Sequence, residues 1–286
     1  MSSPVTTPRL LMGAVAYDPK VVTIWEGFRT WLTARGLDFD FLLYSHYERQ
    51  VEDLVAGRID AAWNSPLAWL RTERLARAAG EDARALVMRD TDRDLTSVVV
   101  VRADSPVTRI EDLAGRVVAT GAVDSPQATL LPLAHLRAAG VEPTVRRFDV
   151  GVGLHGDHIG GERDAARALV TGEVDAACMI DANHLAFAKE GTLPPDMTRI
   201  VAQTAPYDHC NMTVVAGRVE QACDLFASLL LSMSYADAKV RPLLDLEGLT
   251  AWEKGRTTGY AALDSAATDS GFYTANGQVT ATGYRP

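Results

Sequence analysis

Ten residues of this chain occur twice. LVAGRIDAAW at 54–63 returns as LVTGEVDAAC at 169–178, with the Leu-Val pair, the Gly, the Asp and the Ala pair unchanged. The pattern is that of a joint between a helix and a buried strand. Leu-Val ends a helix, Gly57 or Gly172 takes the left-handed closing position that glycine tolerates, and I-D-A-A or V-D-A-A opens a strand whose alanines let a helix pack close. Any α/β protein uses such joints. Two near copies in one chain predict two lobes built alike.

The segments around each copy fit that expectation, because strand-like and helix-like apolar periods alternate as in a parallel α/β sheet. LLMGAVAY, FDFLLYS and IDAAWNSP are expected strands, separated by the helices PKVVTIWEGFRTWLTARG and YERQVEDLVAGR and followed by the helix LAWLRTERLARAAG. TSVVVVRADSP closes this set with a β-branched strand, and the lobe boundary is expected at Arg102–Ser105. A second set follows: VVATG, PQATLLPLAHLRAAG, TVRRFDV, GERDAARALVTG and VDAACMID. Residues 1–103 and 204–286 are therefore expected to form a discontinuous first lobe, with 104–203 inserted as the second. Two crossings make a hinge, and a hinge makes a cleft.

With 286 residues and 47% hydrophobic content the chain can bury the cores of two such lobes. A net charge of −9 argues against a general nucleic-acid binder, since nothing offsets repulsion from phosphates. No apolar run approaches the ~18–20 residues of a membrane span. MSSPVTTPRLLMGAVAYDP lacks the cationic start and long apolar stretch of a signal peptide, so a cytoplasmic location is expected, or a periplasmic one if an export signal has been removed. Cys178, Cys210 and Cys223 are an odd, widely spaced set that reads as reduced thiols.

W-E-G-F in the first helix, LVAGRIDAAWNSP, RADSPVTRIEDLAGRVVATG and LVTGEVDAA occur in an order and spacing that resembles the phosphate/phosphite/phosphonate-binding proteins of ABC importers. The likeness covers roughly residues 10 to 260. It implies the type 2 periplasmic-binding-protein fold, with two α/β lobes closing on a small anionic or zwitterionic solute. An ABC transporter is an implied partner only if the chain is exported. Carried over by position, the ligand site includes Tyr17, Tyr47, Asn64 and Ser65. Phenol, amide and hydroxyl groups at strand ends suit an oxyanion. The family's hydroxyl-rich loop falls on Ser125, Gln127 and Thr129, where helix N-terminal amides hold anions. Pro126, Gln127 and Ala128 stand where the family carries a denser Ser/Thr run. A Gly-Ser-His-like element falls on Gly156, Asp157 and His158, and a cleft aspartate near Asp181.

GVGLHGDHIGGE and APYDHCN are not explained by the resemblance. His155, His158, His209 and Cys210 offer imidazole and thiolate groups of the type that binds zinc or iron, with Asp181 as a carboxylate. The structural alternative is that the histidines donate to an anion and Cys210 is a small buried residue. Cys210 activated by a histidine would be a nucleophile, making His158, His209, Cys210 and Asp181 the catalytic candidates. Gly151–Gly161 is expected to act as a lid over the cleft. Trp63 lies at a strand end that points toward the cleft and can stack on a ligand.

Two functions from different classes stay open. One is a receptor that closes on a solute without changing it and needs no cofactor. The other is a cytoplasmic enzyme on the same fold, using acid-base or divalent-metal chemistry on a small acid. An intracellular sensor is a third class, though no attached signalling domain is visible.

Overall fold

The computed structural model describes residues 7–149 and 158–285. The first set runs β1 (Arg9–Val15), α1 (Lys20–Thr33), β2 (Asp38–Tyr44), α2 (Tyr47–Val55), β3 (Ala61–Asn64), α3 (Pro66–Ala78) and β4 (Ala83–Arg89). The second comprises β5 (Ser97–Arg102), β6 (Val117–Thr120), a π-helical turn Pro126–Leu130 running into α4 (Leu131–Ala138), β7 (Thr144–Arg147), α5 (His158–Val170), β8 (Ala176–Ile180), α6 (Asp181–Glu190) and β9 (Thr198–Gln203). The chain then continues through β10 (Asn211–Val215), α7 (Glu220–Leu231), α8 (Arg241–Glu247), β11 (Trp252–Lys254) and α9 (Ala261–Asp269).

The strands form two separate mixed sheets. One has the order β11-β4-β10-β3-β1-β2 and the other β7-β6-β8-β5-β9. The fold is therefore two-lobed α/β, as the duplicated joint predicts.

Each copy of the decamer performs the same task in its own sheet. Gly57 and Gly172 adopt φ of 70° and 78°, left-handed values that close the preceding helix. Asp60 then donates its N–H to the Leu11 carbonyl at 2.8 Å and accepts the Leu11 N–H on Oδ2 at 2.8 Å. Asp175 repeats this with Val117, at 2.8 and 2.9 Å. Ala61 and Ala62 pair in parallel with Met12 and Gly13 of β1, and Ala176 and Ala177 with Val118 and Ala119 of β6. The shared Asp fixes strand register, and the shared alanines are fully buried.

One expectation is corrected. Ser97–Arg102, assigned from the sequence to the first lobe, is hydrogen-bonded to β8 and β9 of the second sheet, so the chain leaves the first sheet before residue 97. Four consecutive valines need burial on both faces, and a central strand of the second sheet supplies it. The return passage follows β9. The two passages pair with each other where Leu95 and Tyr207 exchange N–H···O bonds of 2.9 and 2.8 Å.

The end of the chain is also not confined to the first lobe. Leu244, Leu249 and Trp252 join the core around β1 and α1. Leu263, Ala266 and Ala267 of α9, however, pack with Leu67 and Leu70 of α3 and with Leu130 and Leu131 of the second set. Two buried arginines of α3 hold this segment. Arg74 bonds Asp264 Oδ1 at 2.6 Å and the Thr274 carbonyl at 3.1 Å, and Arg71 bonds the Gly277 carbonyl at 3.0 Å.

Candidate functional site

A cavity of about 420 Å³ lies where strand ends and helix starts of both sets meet. This is where open α/β sheets bind ligands. Two of its walls repeat each other. After β3, Ser65 and Pro66 start α3, and Ser65 Oγ accepts the Ala68 N–H at 3.3 Å. After β6, Ser125 and Pro126 start the π-helical turn, and Ser125 Oγ accepts the Ala128 N–H at 3.1 Å. Proline has no N–H at the first helical position and the serine satisfies the third. The second, Leu67 or Gln127, has no helical carbonyl within reach, and both residues line the cavity.

Of the residues expected at the site, Tyr17, Tyr47, Trp63, Ser65, Gln127 and His158 line this cavity, as do His209 and Cys210. Trp63 is seated in the core, edge-on to Trp252 at 5.6 Å, with the Arg89 guanidinium 5.3 Å from its ring. Four others are directed elsewhere. Asn64 is fully buried, accepting from Gln50 Nε2 at 2.8 Å and donating to Thr72 Oγ1 at 3.1 Å, which ties β3 to α2 and α3. Ser125 spends its hydroxyl on the cap, and Thr129 donates its own to the Ala122 carbonyl at 2.7 Å. Asp181 accepts from Thr96 Oγ1 at 2.7 Å and from the Ala182 N–H at 2.7 Å, away from the cavity lining. His155 and most of the proposed lid lie outside the described residues. His158 opens α5, with Nε2 3.5 Å from Asp124 Oδ1.

The residues that sequence reasoning missed carry most of the charge. Arg89, at the end of β4, holds Asp92 through Nε at 2.5 Å and Nη2 at 2.9 Å, and bonds the Glu247 carbonyl through Nη1 at 2.8 Å. Burial works to raise the Asp92 carboxyl, but Arg89, with help from His209, outweighs it and holds the group at about 2. Glu247 shows the opposite balance. Burial, reinforced by Asp92, lifts it to about 7 against the pull of Arg89 and Lys20. Burial raises Tyr17 to about 12 and Tyr47 well above the usual phenol value, so both stay protonated donors near neutral pH. Lys20, Glu48, Asp124, Asp245, Tyr273 and Tyr284 also belong to the polar lining. In sequence, Arg89 and Asp92 sit in the charged run MRDTDRD, which reads as a solvated turn, and Glu247 sits in a short amphipathic helix. The tyrosines alone gave a usable signal, as aromatics in an otherwise small and polar C-terminal stretch.

The metal and nucleophile expectations meet specific obstacles. Asp92, His209 and Cys210 place an oxygen, a nitrogen and a sulfur within 4.8 Å of one another. Both Asp92 oxygens are already bonded to Arg89, and Oδ1 also accepts the Cys210 N–H at 3.2 Å. A divalent cation would compete with a guanidinium for the only carboxylate in the set, so the residues do not fit a metal, and metal binding finds no support. His209 Nδ1 is 3.1 Å from Cys210 Sγ and 3.5 Å from Asp92 Oδ1. A catalytic relay needs thiol and carboxylate on different ring nitrogens. Burial first, then Asp92 and Glu247, pushes the Cys210 thiol well above its usual value, which keeps it protonated.

Two α/β lobes around a cavity lined by helix starts and protonated phenols define the class of two-lobed solute-binding proteins. The chain belongs to the family described as "ABC transporter, phosphonate, periplasmic substrate-binding protein", whose model matches residues 13–260. It binds a small solute in the cleft between the lobes, as members of this family do, and the family normally needs no cofactor. Its periplasmic description leaves the cytoplasmic expectation without support. Among the described residues no helix is long and apolar enough to cross a membrane. No curated protein matches the chain.

Among solved structures, it is similar to PhnD1 from Prochlorococcus marinus (MIT 9301) in complex with methylphosphonate, at 15% identity and a TM-score of 0.66, covering 92% of this chain and 98% of that one. XAC2383 from Xanthomonas citri bound to ATP aligns at 18% identity and a TM-score of 0.68, with the same coverage of 92% and 98%. The aliphatic sulphonate binding protein SsuA from Escherichia coli aligns at 18% identity and a TM-score of 0.56, covering 92% and 91%. At these identities the likeness is one of fold.

Proposed function

We propose that this chain is the receptor of an ABC importer for a small organic acid of phosphonate or sulfonate type, with or without an amino group. It holds the acid in the cleft unchanged. The observation that carries this reading is the pair of Ser–Pro helix starts, one from each lobe, opening on the same cavity. The Leu67 and Gln127 N–H groups and the positive ends of two helix dipoles suit an oxyanion placed between them. Lys20 adds a cation at the rim, and the Tyr17 and Tyr47 hydroxyls add donors. Ser125, Asn64 and Thr129 act from behind by fixing the loops, and Trp63 is a rigid wall. The methylphosphonate of PhnD1 and the sulphonates of SsuA support the ligand class. The family description supports a periplasmic location and an importer as partner. The passages ahead of β5 and after β9, joined at Leu95 and Tyr207, are the hinge on which the lobes close.

The test is calorimetric titration of the purified chain with methylphosphonate, ethanesulfonate and acetate, with phosphorus NMR of the phosphonate after long incubation. Binding is expected for the tetrahedral acids, with no new phosphorus resonance. Lys20→Ala and Tyr47→Phe each weaken it by about tenfold, the loss of one hydrogen bond to a charged group. Absence of binding by every anion would sink the receptor reading, and a new resonance would replace it with an enzyme.

A further inference from the structure

Beside the Gln127 wall of the cavity lies a carboxyl group that the acid site leaves unused. Glu162 of α5 is fully buried. Its Oε2 accepts the Ile180 N–H of β8 at 3.0 Å and Asn183 Nδ2 of α6 at 2.8 Å. Its Oε1 is buried with no donor among the described residues. The Gln127 side chain, 5% exposed, lies within hydrogen-bonding reach of this carboxyl, and its own Oε1 is likewise buried without a donor. Two acceptors cannot satisfy each other, and native structures rarely leave such a pair buried.

One proton resolves both. Oε2 already accepts two N–H groups, so the proton belongs on Oε1, from which the O–H donates to Gln127 Oε1. Burial favours that proton, lifting the carboxyl to about 7 against the pull of Asn183, Ile180, His158 and Gln127. The other titratable groups facing Glu162 are neutral: burial pushes the Cys178 thiol of β8 up to about 12 and raises the Tyr207 phenol. His158, one turn earlier on α5 and 3.5 Å from Asp124, is the competing source of a proton, since imidazole ordinarily titrates near neutrality.

The proton decides which way the Gln127 amide points. Beside an ionised Glu162 the amide turns its N–H groups to the carboxylate and its carbonyl to the cavity, where it repels an oxyanion. Beside the protonated acid the carbonyl accepts the O–H, and the N–H groups join the Gln127 backbone N–H at the cavity wall.

We propose that Glu162 is a positioning residue for the acid site: its proton, donated to Gln127 Oε1, turns the Gln127 amide into a donor to the ligand, so that anion and proton bind together. The inference rests on the reading that the acid group is held at the paired helix starts. Glu162 touches the ligand nowhere and acts through Gln127.

The experiment is calorimetric titration of the full chain with ethanesulfonate, a monoanion throughout the neutral range, and with methylphosphonate, in two buffers of different ionisation heat. The difference in heat counts the protons taken up with the ligand. Near pH 7 the wild type is expected to take up about half a proton with ethanesulfonate, as a half-ionised carboxyl becomes fully protonated. Its affinity is expected to fall at least about tenfold from about pH 6 to about pH 8.5. Glu162→Gln, whose new amide donates permanently to Gln127 Oε1, binds at every pH as the wild type does in acid and takes up no proton. Gln127→Met binds more weakly and also loses the uptake, whereas His158→Asn keeps it. With methylphosphonate, whose own ionisation is common to all the proteins, uptake by these first two variants falls below that of the wild type by the same amount. Circular dichroism confirms that each variant folds, and either of the first two carries the test if the other does not. A wild type with no uptake and a pH-independent affinity, or uptake that survives Glu162→Gln, overturns the role of Glu162 and leaves the acid site standing. Uptake that survives Gln127→Met overturns the relay through the amide. Binding of neither acid overturns the acid site and the role of Glu162 with it.

Discussion

Replacing Glu247 by Gln should stabilise the protein at alkaline pH and leave it unchanged in acid. Glu247 is 7% exposed and packed beside Asp92, and these two influences lift its carboxyl from 4.5 to about 7 despite Arg89. In the unfolded chain it returns to the ordinary value, so between pH 4.5 and about 7 the native state holds a proton that the unfolded state has lost. Stability from this group is fully present below pH 4.5 and is lost as pH rises through about 7. At about 1.4 kcal/mol for each pH unit of that interval, the loss is about 3 kcal/mol by pH 8.5. The neutral amide keeps an acceptor for Arg89 and removes the ionisation. Glu162, fully buried and raised to about 7 by burial, adds a second group of the same sign, so Glu162→Gln is the matched control. The assay is urea unfolding of both variants and the wild type at pH 5.5, 6.5, 7.5 and 8.5, intervals of about one unit across the titration. Glu247→Gln should gain about 3 kcal/mol over the wild type at pH 8.5, with about half the wild-type slope across the series. If instead it were less stable at pH 8.5 with the slope intact, ionised Glu247 would be a net stabilising partner of Arg89, and the argument from burial would be wrong.

Asp60→Ala and Asp175→Ala should each cost about 2 kcal/mol in urea unfolding, because each removes a carboxylate that accepts a strand N–H in the same geometry. A cost at one site only would mean that the duplicated joint is duplicated in sequence alone. Asp92→Ala should cost about 3 to 5 kcal/mol, as it leaves Arg89 buried beside a half-protonated Glu247. Its midpoint and slope in urea measure this, and a change within about 0.5 kcal/mol would show that the pair is replaceable by solvent. Cys210 should resist iodoacetamide in the native protein at pH 7.5 and react at the normal rate in urea, since burial and two carboxylates hold the thiol protonated. Fast native labelling of Cys210, located by peptide mapping, would restore it as a nucleophile.

The parts of the fold that were legible in the sequence are those whose determinants are close together along the chain. Gly57 and Gly172 end helices within a few residues of the strands they introduce, so a decamer records the whole joint. Ser97–Arg102 was legible as a strand but not as to its sheet, because its neighbours β8 and β9 lie about 75 to 100 residues further on, where loop closure depends little on local pattern. β4 went unrecognised for a related reason. Arg84 interrupts its apolar run, and the strands that flank it, β10 and β11, come from beyond residue 210.

The site divides along the same line. The resemblance pointed to Tyr17, Tyr47, Ser65 and Gln127, and these line the cavity because backbone direction at a helix start brings such groups to the crevice. Asn64 and Thr129 have the same types at equivalent places, yet their polar atoms are spent inside: each had a buried partner that only the packed helices create. Arg89, Asp92 and Glu247 were invisible for the converse reason. A charged run is normally solvated, and these charges become buried only because β4 and α8, distant in sequence, close over one another and neutralise in pairs. On the proposed reading, that neutralisation leaves Lys20 and the two helix starts as the groups that attract an acid. Were Arg89 free of Asp92 and Glu247, it would draw the anion toward Trp63 and away from the paired N–H groups. On the proposed reading the ion cluster, absent from every local pattern, directs the ligand because Arg89 and Glu247 line the cavity with their charges already paired.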